Sequence, residues 1–263
     1  MALTAIVLGD NCIDRYLPPV DEEFVGGQAV NVAAGLAAAG IPTAYAGVVG
    51  NDDAGRRIVA ELVARAIDVS VVECRPGSTG RTGIATENGD RRFVSEDYGV
   101  SAPYVPTSAA LHLVAGARLA YAAHVDDLAR IHAALAPGAV LALDASDGDL
   151  ADIELGQVDI LFVSRPGASR KDALALGRSL VGGGIQIVVV TVGASGAVAV
   201  ERGGRSAACS AVGAVAVDTL GAGDALASGF LASWLSNGDI ELALGRGSLA
   251  AAAACAHQGA LPA

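Results

Sequence analysis

Ala5-Ile6-Val7-Leu8-Gly9-Asp10 opens the chain as an unbroken apolar run closed by a glycine and a carboxylate. A run without alternation suits a strand buried on both faces, the kind from which parallel sheets are built. Asp10 then falls at the C-terminal edge of a strand, where open α/β sheets gather their ligands. Residues 15–25 are polar, contain Pro18-Pro19 and the acidic cluster Asp21-Glu22-Glu23, and predict an exposed excursion. After Gly26-Gly27 a helix is expected over 28–39, stopped by Gly40 with Pro42 just beyond.

The same rhythm extends outward along the chain. Strands are expected at 45–49, 118–122, 139–143, 160–163, 187–192 and 197–201, and helices at 54–65, 108–115, 126–135 and 171–181. Asn51-Asp52-Asp53 supplies a cap for the helix at 54–65, and 224–257 reads as two helices divided at Gly238-Asp239, with Asp239 as N-cap. One interruption stands out. Short strands at 82–87 and 91–95 flank Asn88-Gly89, a hairpin signal, and together with residues 12–25 they predict a small sheet standing off the main body as a lid. The expected class is therefore α/β: a single domain over 1–263 with a central, mostly parallel sheet, helices on both faces, and a β lid from 12–25 and 78–98.

Composition narrows the partners. The 263 residues carry a net charge of −11, and Lys171 is the only lysine, so a nucleic-acid partner, which wants a basic face, is disfavoured. Cys12, Cys74, Cys209 and Cys255 have neither CxxC nor Cys/His spacing, which predicts no zinc site and no disulfide framework. The N-terminus lacks a basic signal-peptide region, and no apolar run approaches the ~18 residues of a membrane span. A cytoplasmic protein with no membrane partner is expected.

Asp218-Thr219-Leu220-Gly221-Ala222-Gly223-Asp224 carries the chemistry. Glycines ahead of a carboxylate at a helix start bring backbone N–H groups and the helix dipole to one point, an arrangement that suits an anion. The carboxylate of Asp224 can take a proton from an attacking hydroxyl, and the amides of Gly221, Ala222 and Gly223 can stabilise charge on a transferring phosphoryl group. Taken alone, the run is equally a helix cap. Thr191-Val192-Gly193-Ala194-Ser195-Gly196, after an apolar strand, is either a donor-rich phosphate turn or a plain β-turn. Asp10, Asn11, Asp14 and Asn31 are residue types that orient sugar hydroxyls, or that cap and turn.

Gly26-Gly27-Gln28-Ala29-Val30-Asn31-Val32-Ala33 with Leu36-Ala37-Ala38-Ala39-Gly40 resembles the N-terminal signature of the ribokinase-like (PfkB) carbohydrate kinases, and Asp218 to Asp224 resembles the C-terminal one. Within that family the likeness is strongest to the fructoselysine 6-kinases, through Gly9-Asp10-Asn11-Cys12-Ile13-Asp14-Arg15-Tyr16, Phe24-Val25-Gly26-Gly27 and Gly50-Asn51-Asp52-Asp53-Ala54-Gly55. The resemblance implies Asp224 as catalytic base with Gly221, Ala222 and Gly223 as anion hole. It implies sugar contacts at Asp10, Asn11, Asp14, Gly26, Gly27 and Asn31. Nucleotide contacts are implied at Thr191, Gly193, Gly196, His257 and Gly259, and a monovalent cation such as K+ at Asp218 and Thr219. ATP and Mg2+ are the implied cofactors.

One departure is visible. The family's Asn-x-x-Glu, which helps place magnesium, is replaced by Val163-Ser164-Arg165-Pro166-Gly167-Ala168. His112, His124 and His132 lack metal-ligand spacing, and Gly182-Gly183-Gly184 follows a helix and is expected to end it. The function expected is phosphorylation of a primary hydroxyl on a small sugar or sugar–amine conjugate, fructoselysine first. Alternatives are a kinase for ribose, fructose or a nucleoside, and a non-catalytic sugar or nucleotide sensor. A homodimer formed through the lid is also expected.

Overall fold

The first apolar run becomes β1 (Ala5–Gly9), buried along its whole length between two parallel neighbours. The computed structural model describes residues 3–87, 90–146, 155–213 and 216–261. In chain order there follow β2 (Cys12–Tyr16), β3 (Glu23–Gly26), α1 (Gln28–Ala38), β4 (Thr43–Ala46), β5 (Val48–Gly50), α2 (Asp53–Ala64), β6 (Glu73–Arg75), β7 (Thr79–Glu87) and β8 (Asp90–Gly99). Then come α3 (Ser108–Gly116), β9 (Leu119–Ala123), α4 (Leu128–Ala134), β10 (Val140–Asp144), β11 (Ile160–Ser164), α5 (Arg170–Gly182) and β12 (Ile187–Thr191). The chain ends with β13 (Ala197–Glu201), β14 (Ser206–Cys209), α6 (Ala222–Asn237) and α7 (Ile240–Ala254).

The main sheet runs β14-β13-β12-β11-β10-β9-β1-β4, parallel from β12 to β4, with β13 and β14 antiparallel at one edge. Alternate residues of β1 serve opposite cores. Val7 packs with α1 and α6, whereas Ile6 and Leu8 pack with α3, α4 and α5. The α/β class with a mostly parallel, doubly covered sheet is thus as expected. A second sheet, β3-β2-β7-β8, is built from the polar excursion and the hairpin. The hairpin signal Asn88-Gly89 lies outside the described residues, but Glu87 and Asp90 pair on either side of it.

Local capping follows the side-chain chemistry. Asp52 accepts from Gly55 N at 2.8 Å to start α2, and Asp239 accepts from Glu241 N and Leu242 N, both at 2.9 Å, to start α7. Gly183 ends α5. One strand expectation is corrected. The run 45–49 is not one strand: β4 stays in the main sheet, while β5 leaves to pair with β6. The break falls at Gly47, because the Tyr45 hydroxyl folds back over that Cα to reach Gly9 O (2.8 Å) and Asp10 O (3.0 Å), filling the space a side chain would need. At the far edge, β14 is an additional strand of four small residues, with Ala207 and Cys209 packed against the core.

Helices α1 and α6 deserve separate mention because they position the site. Asn31 touches Asp224, and one turn further along each helix Gly35 lies against Ser228. Equal steps in the same direction mean that the two helices run parallel, so their N-termini arrive at the same edge of the sheet.

Candidate active site

Between β1 and β9 the sheet order reverses, since the chain goes from β1 out to β4 on one side and returns to β9 on the other. Ligands of open α/β sheets bind at such a reversal. Asp10 follows β1 and His124 follows β9, so the two flank that point.

Asp10 is buried, and its two oxygens accept from Gln28 N (2.9 Å) and Ala29 N (3.1 Å). It therefore caps α1 from eighteen residues upstream, with Gly27 between them. Gly27 has φ +105°, and a Cβ there would meet Asn11 Cα at 2.6 Å, so the chain needs glycine on both counts. Burial raises the Asp10 pKa, and the charge of His124 and the amide hydrogen bonds oppose the rise. His124 has φ +51° and packs its ring at a tilt against Tyr98 of β8, with ring centroids 5.4 Å apart. A non-glycine residue in this conformation at a sheet reversal is a mark of a working site.

Asn11 donates to Val48 O (2.8 Å) and to the Tyr45 hydroxyl (3.0 Å), and Asn31 donates to Asp224 Oδ2 (2.8 Å). Those acceptors fix which way each amide points. The Oδ1 atoms of Asn11 and Asn31 are both buried and without a hydrogen-bond partner. An unsatisfied buried acceptor costs about 1–3 kcal/mol, a cost that hydroxyl donors from a ligand would relieve. Asp14, on β2, lies against Gly26 so closely that any Cβ at residue 26 would collide with its carboxylate. Burial pushes the Asp14 carboxyl up to about 6, with the charges of Asp10 and Asp218 raising it further and the Cys12 thiol and Arg91 opposing.

Asp224 is the third residue of α6, behind Gly221, whose φ of +73° and closeness to Ala260 exclude a side chain. The Ala222 N–H turns toward Thr219 O (3.3 Å), so it serves the turn first, while Gly223 is exposed in the first turn. First-turn amides have no acceptor within their own helix. Asn31 thus joins the two signature segments, 193 residues apart, in one buried hydrogen bond to a carboxylate. This kind of bond contributes about 1.5–3 kcal/mol.

Asp218 is also buried, and its carboxylate is a hub. It accepts from the Tyr16 hydroxyl, Leu220 N (2.9 Å), Gly259 N (3.0 Å) and Gln258 Nε2 (3.3 Å). The Thr219 hydroxyl accepts from Arg91 Nε at 3.2 Å. Gly259 packs against Phe24 of β3. Its place is therefore beside Asp218 and the second sheet. Burial, and then the bond to Asp218, raise the Tyr16 pKa. Tyr16, Arg91 and Gln258 were missed as site residues because each acts across a long stretch of chain.

Thr191, Gly193 and Gly196 form a second group. Thr191 ends β12, and its Oγ1 lies 3.5 Å from Val163 O. Gly193 begins a 3-10 turn closed by Gly196 N–H to Gly193 O (3.0 Å), and Val192 N–H reaches Gly196 O (2.9 Å). Gly196 rests against Cys209 O and Ser210, and Ser210 O accepts from Ser248 of α7 at 3.2 Å. His257, half-buried past the end of α7, has Nδ1 3.2 Å from Gln258 O. Beside this group Arg165 donates its N–H to Thr191 O (2.8 Å) and Nη1 to Ser164 O (2.7 Å).

Residues 163–168 offer no carboxylate and no carboxamide, so they do not fit a directly held magnesium ion. Among the described residues no group of three or more His, Cys, Asp or Glu is placed to hold a metal. All four thiols are free, and no described helix is long and apolar enough to cross a membrane. A surface groove of about 640 Å³ lined by Asn237, Asp239, Leu242 and Arg246 lies at the other end of α6, away from these groups.

Comparison with known proteins agrees with this geometry. The chain is 31% identical to the fructoselysine 6-kinase of Shigella flexneri, an alignment covering 98% of this chain and 99% of that one. It is 28% identical to a fructosamine kinase of Bacillus subtilis, covering 97% and 92%. Its fold matches Arabidopsis thaliana ribokinase, solved with ribose and ATP, at a TM-score of 0.85 and 21% identity, over 100% of this chain and 96% of that one. The family model for pfkB carbohydrate kinases matches residues 17–263. With both signature segments meeting at the Asn31–Asp224 bond, the chain belongs to the pfkB family of carbohydrate kinases.

Proposed function

We propose that the chain transfers the γ-phosphoryl group of ATP to a primary hydroxyl of a fructosamine, with fructoselysine as first substrate and its 6-hydroxyl as acceptor. The observation that carries the reading is the Asn31–Asp224 hydrogen bond, which holds a carboxylate in the first turn of α6 at the sheet reversal. In this role Asp224 accepts the hydroxyl proton while the amides at the start of α6 stabilise the transferring phosphoryl oxygens. The unpartnered oxygens of Asn11 and Asn31, with Asp14, receive sugar hydroxyls. The names of the relatives at 28–31% identity support the fructosamine. A ketosamine carries a protonated amine, which suits surroundings holding Asp10, Asp14, Asp218 and Asp224.

The acidic cluster of the excursion does not supply that attraction. Asp21 pairs with Arg15, and Glu23 with Arg15, Arg57 and Arg81, so the edge is charge-balanced. In this reading the second sheet closes over the sugar and excludes water. Thr191, Gly193, Gly196 and His257 face ATP. Magnesium supplies charge neutralisation on the phosphates when bound, and it is held by phosphate oxygens and water rather than by residues 163–168. The exposed β8 edge, with Phe93 and Val94, is where a second copy would pair.

A coupled ADP-release screen over fructoselysine, other fructosamines, ribose, fructose, fructose phosphates and nucleosides tests the reading. Fructoselysine is expected to have the highest kcat/KM. A preference for ribose or a nucleoside would overturn the substrate, and binding without turnover across the panel would favour a sensor.

A further inference from the structure

We infer that this chain closes its Asp218 site with its own donors and works without a monovalent cation. Four protein donors point at the carboxylate: the Tyr16 hydroxyl from β2, the Gln258 amide, and the N–H groups of Leu220 and Gly259, the Leu220 amide at Oδ1 and the others at Oδ2. Three of the four converge on Oδ2, surrounding that oxygen with hydrogens where a cation would need bare oxygen. The Gln258 amide has its nitrogen inward because its oxygen would face a carboxylate. Thr219, the second residue of the expected cation site, is occupied as well, by Arg91 from β8.

Arg91 also supplies what a cation would otherwise bring. Its bond to Thr219 places a permanent positive charge between the second sheet and the segment leading into α6, and that charge opposes the rise that burial causes in the pKa values of Asp14 and Cys255. Its side chain lies over the Phe93 ring at 5.0 Å, so it is held at two points. A monovalent ion entering beside Asp218 would displace hydrogen bonds already made and approach a guanidinium. The residues here do not fit the ion, and the ordering of the loop from Thr219 to Gly223 falls to Tyr16, Gln258 and Arg91.

The inference rests on the kinase reading for its activity arm only. Melting temperature and initial rate are measured in K+, Na+ and tetramethylammonium buffers of equal ionic strength. A cation bound to the folded chain at many times its Kd would raise the melting temperature by several degrees. The expected result is a difference under ~1 °C and less than twofold in rate between K+ and tetramethylammonium. A K+-specific rise of several degrees, or activation beyond ~10-fold, overturns the inference even if the substrate is misassigned, because the melting arm needs no substrate. The double variant Tyr16→Phe, Gln258→Ala removes two donors and is expected to gain a K+-dependent rise in melting temperature. A folded double variant still indifferent to K+ would overturn the assignment of those side chains as what excludes the ion.

Discussion

The starts of α1 and α6 meet at one edge of the sheet, each behind a glycine of positive φ, yet they are finished differently. At α1 the amides of Gln28 and Ala29 are taken by the buried carboxylate of Asp10. At α6 the cap residue Gly221 has no side chain to offer, Gly223 is exposed, and the carboxylate of Asp224 sits inside the first turn, tied to α1 through Asn31. A capped helix end has spent its positive pole on a permanent anion, whereas an open one keeps it for a transient one. Under the proposed function the comparison separates two jobs that share one location: α1 would hold the acceptor, and α6 would meet the charge that develops during transfer.

Removing the carboxylate from the open end should do the most damage. Asp224→Asn keeps shape and accepts the same neighbours, so KM for the sugar should change little while kcat falls by about 10²–10⁴-fold, the range of general-base contributions. Steady-state kinetics decide this, and near-normal kcat would dissolve the distinction between the two helices. At the capped end the expected effect is on folding first. Asp10→Ala strands two amides and should cost about 1–2 kcal/mol, as loss of a helix cap does, with a weaker loss for Asp10→Asn, which keeps one acceptor. Thermal melts with and without sugar check it. An unchanged melt for Asp10→Ala would mean that the cap carries no stability.

Much of this was legible from local chemistry. Unbroken apolar runs such as Ile187 to Val190 announced buried parallel strands, and Asp52 and Asp239 cap the helices that directly follow them. The paired signatures pointed to one site from opposite ends of the chain. What was illegible acts over distance. Asp10 caps a helix that starts eighteen residues later, outside any capping-box spacing. The hydroxyl of Tyr45 breaks a strand by reaching back to Gly9, and Tyr16 meets Asp218 across 202 residues. No periodicity encodes such contacts, since each depends on the sheet having already brought its ends together. The contacts of Gly259 with Asp218 and Phe24 were illegible for the same reason.

The α1 side can be sharpened through Asp14, where stability and binding pull in opposite directions. Its folded pKa of about 6 lies above the ordinary value near 3.8. The folded state therefore favours the protonated form, and the stability this gives is fully present below the ordinary pKa and lost as pH rises to about 6. Asp14→Asn should accordingly raise the melting temperature at neutral pH and leave it less dependent on pH between 4 and 6. Binding runs the other way, because the ionised form accepts hydroxyl donors at both oxygens and with charge assistance, whereas protonation turns one oxygen into a donor. In the native protein kcat/KM should fall as pH drops through about 6. Asp14→Asn should flatten that limb and raise KM about tenfold or more, the equivalent of one charge-assisted hydrogen bond.

Arg91→Gln gives the smallest and most diagnostic change. The Arg91 charge opposes the upward shift at Asp14, so its removal should move the acid limb to higher pH, whereas a loss that acts through the loop alone would lower the whole profile and leave the limb where it stands.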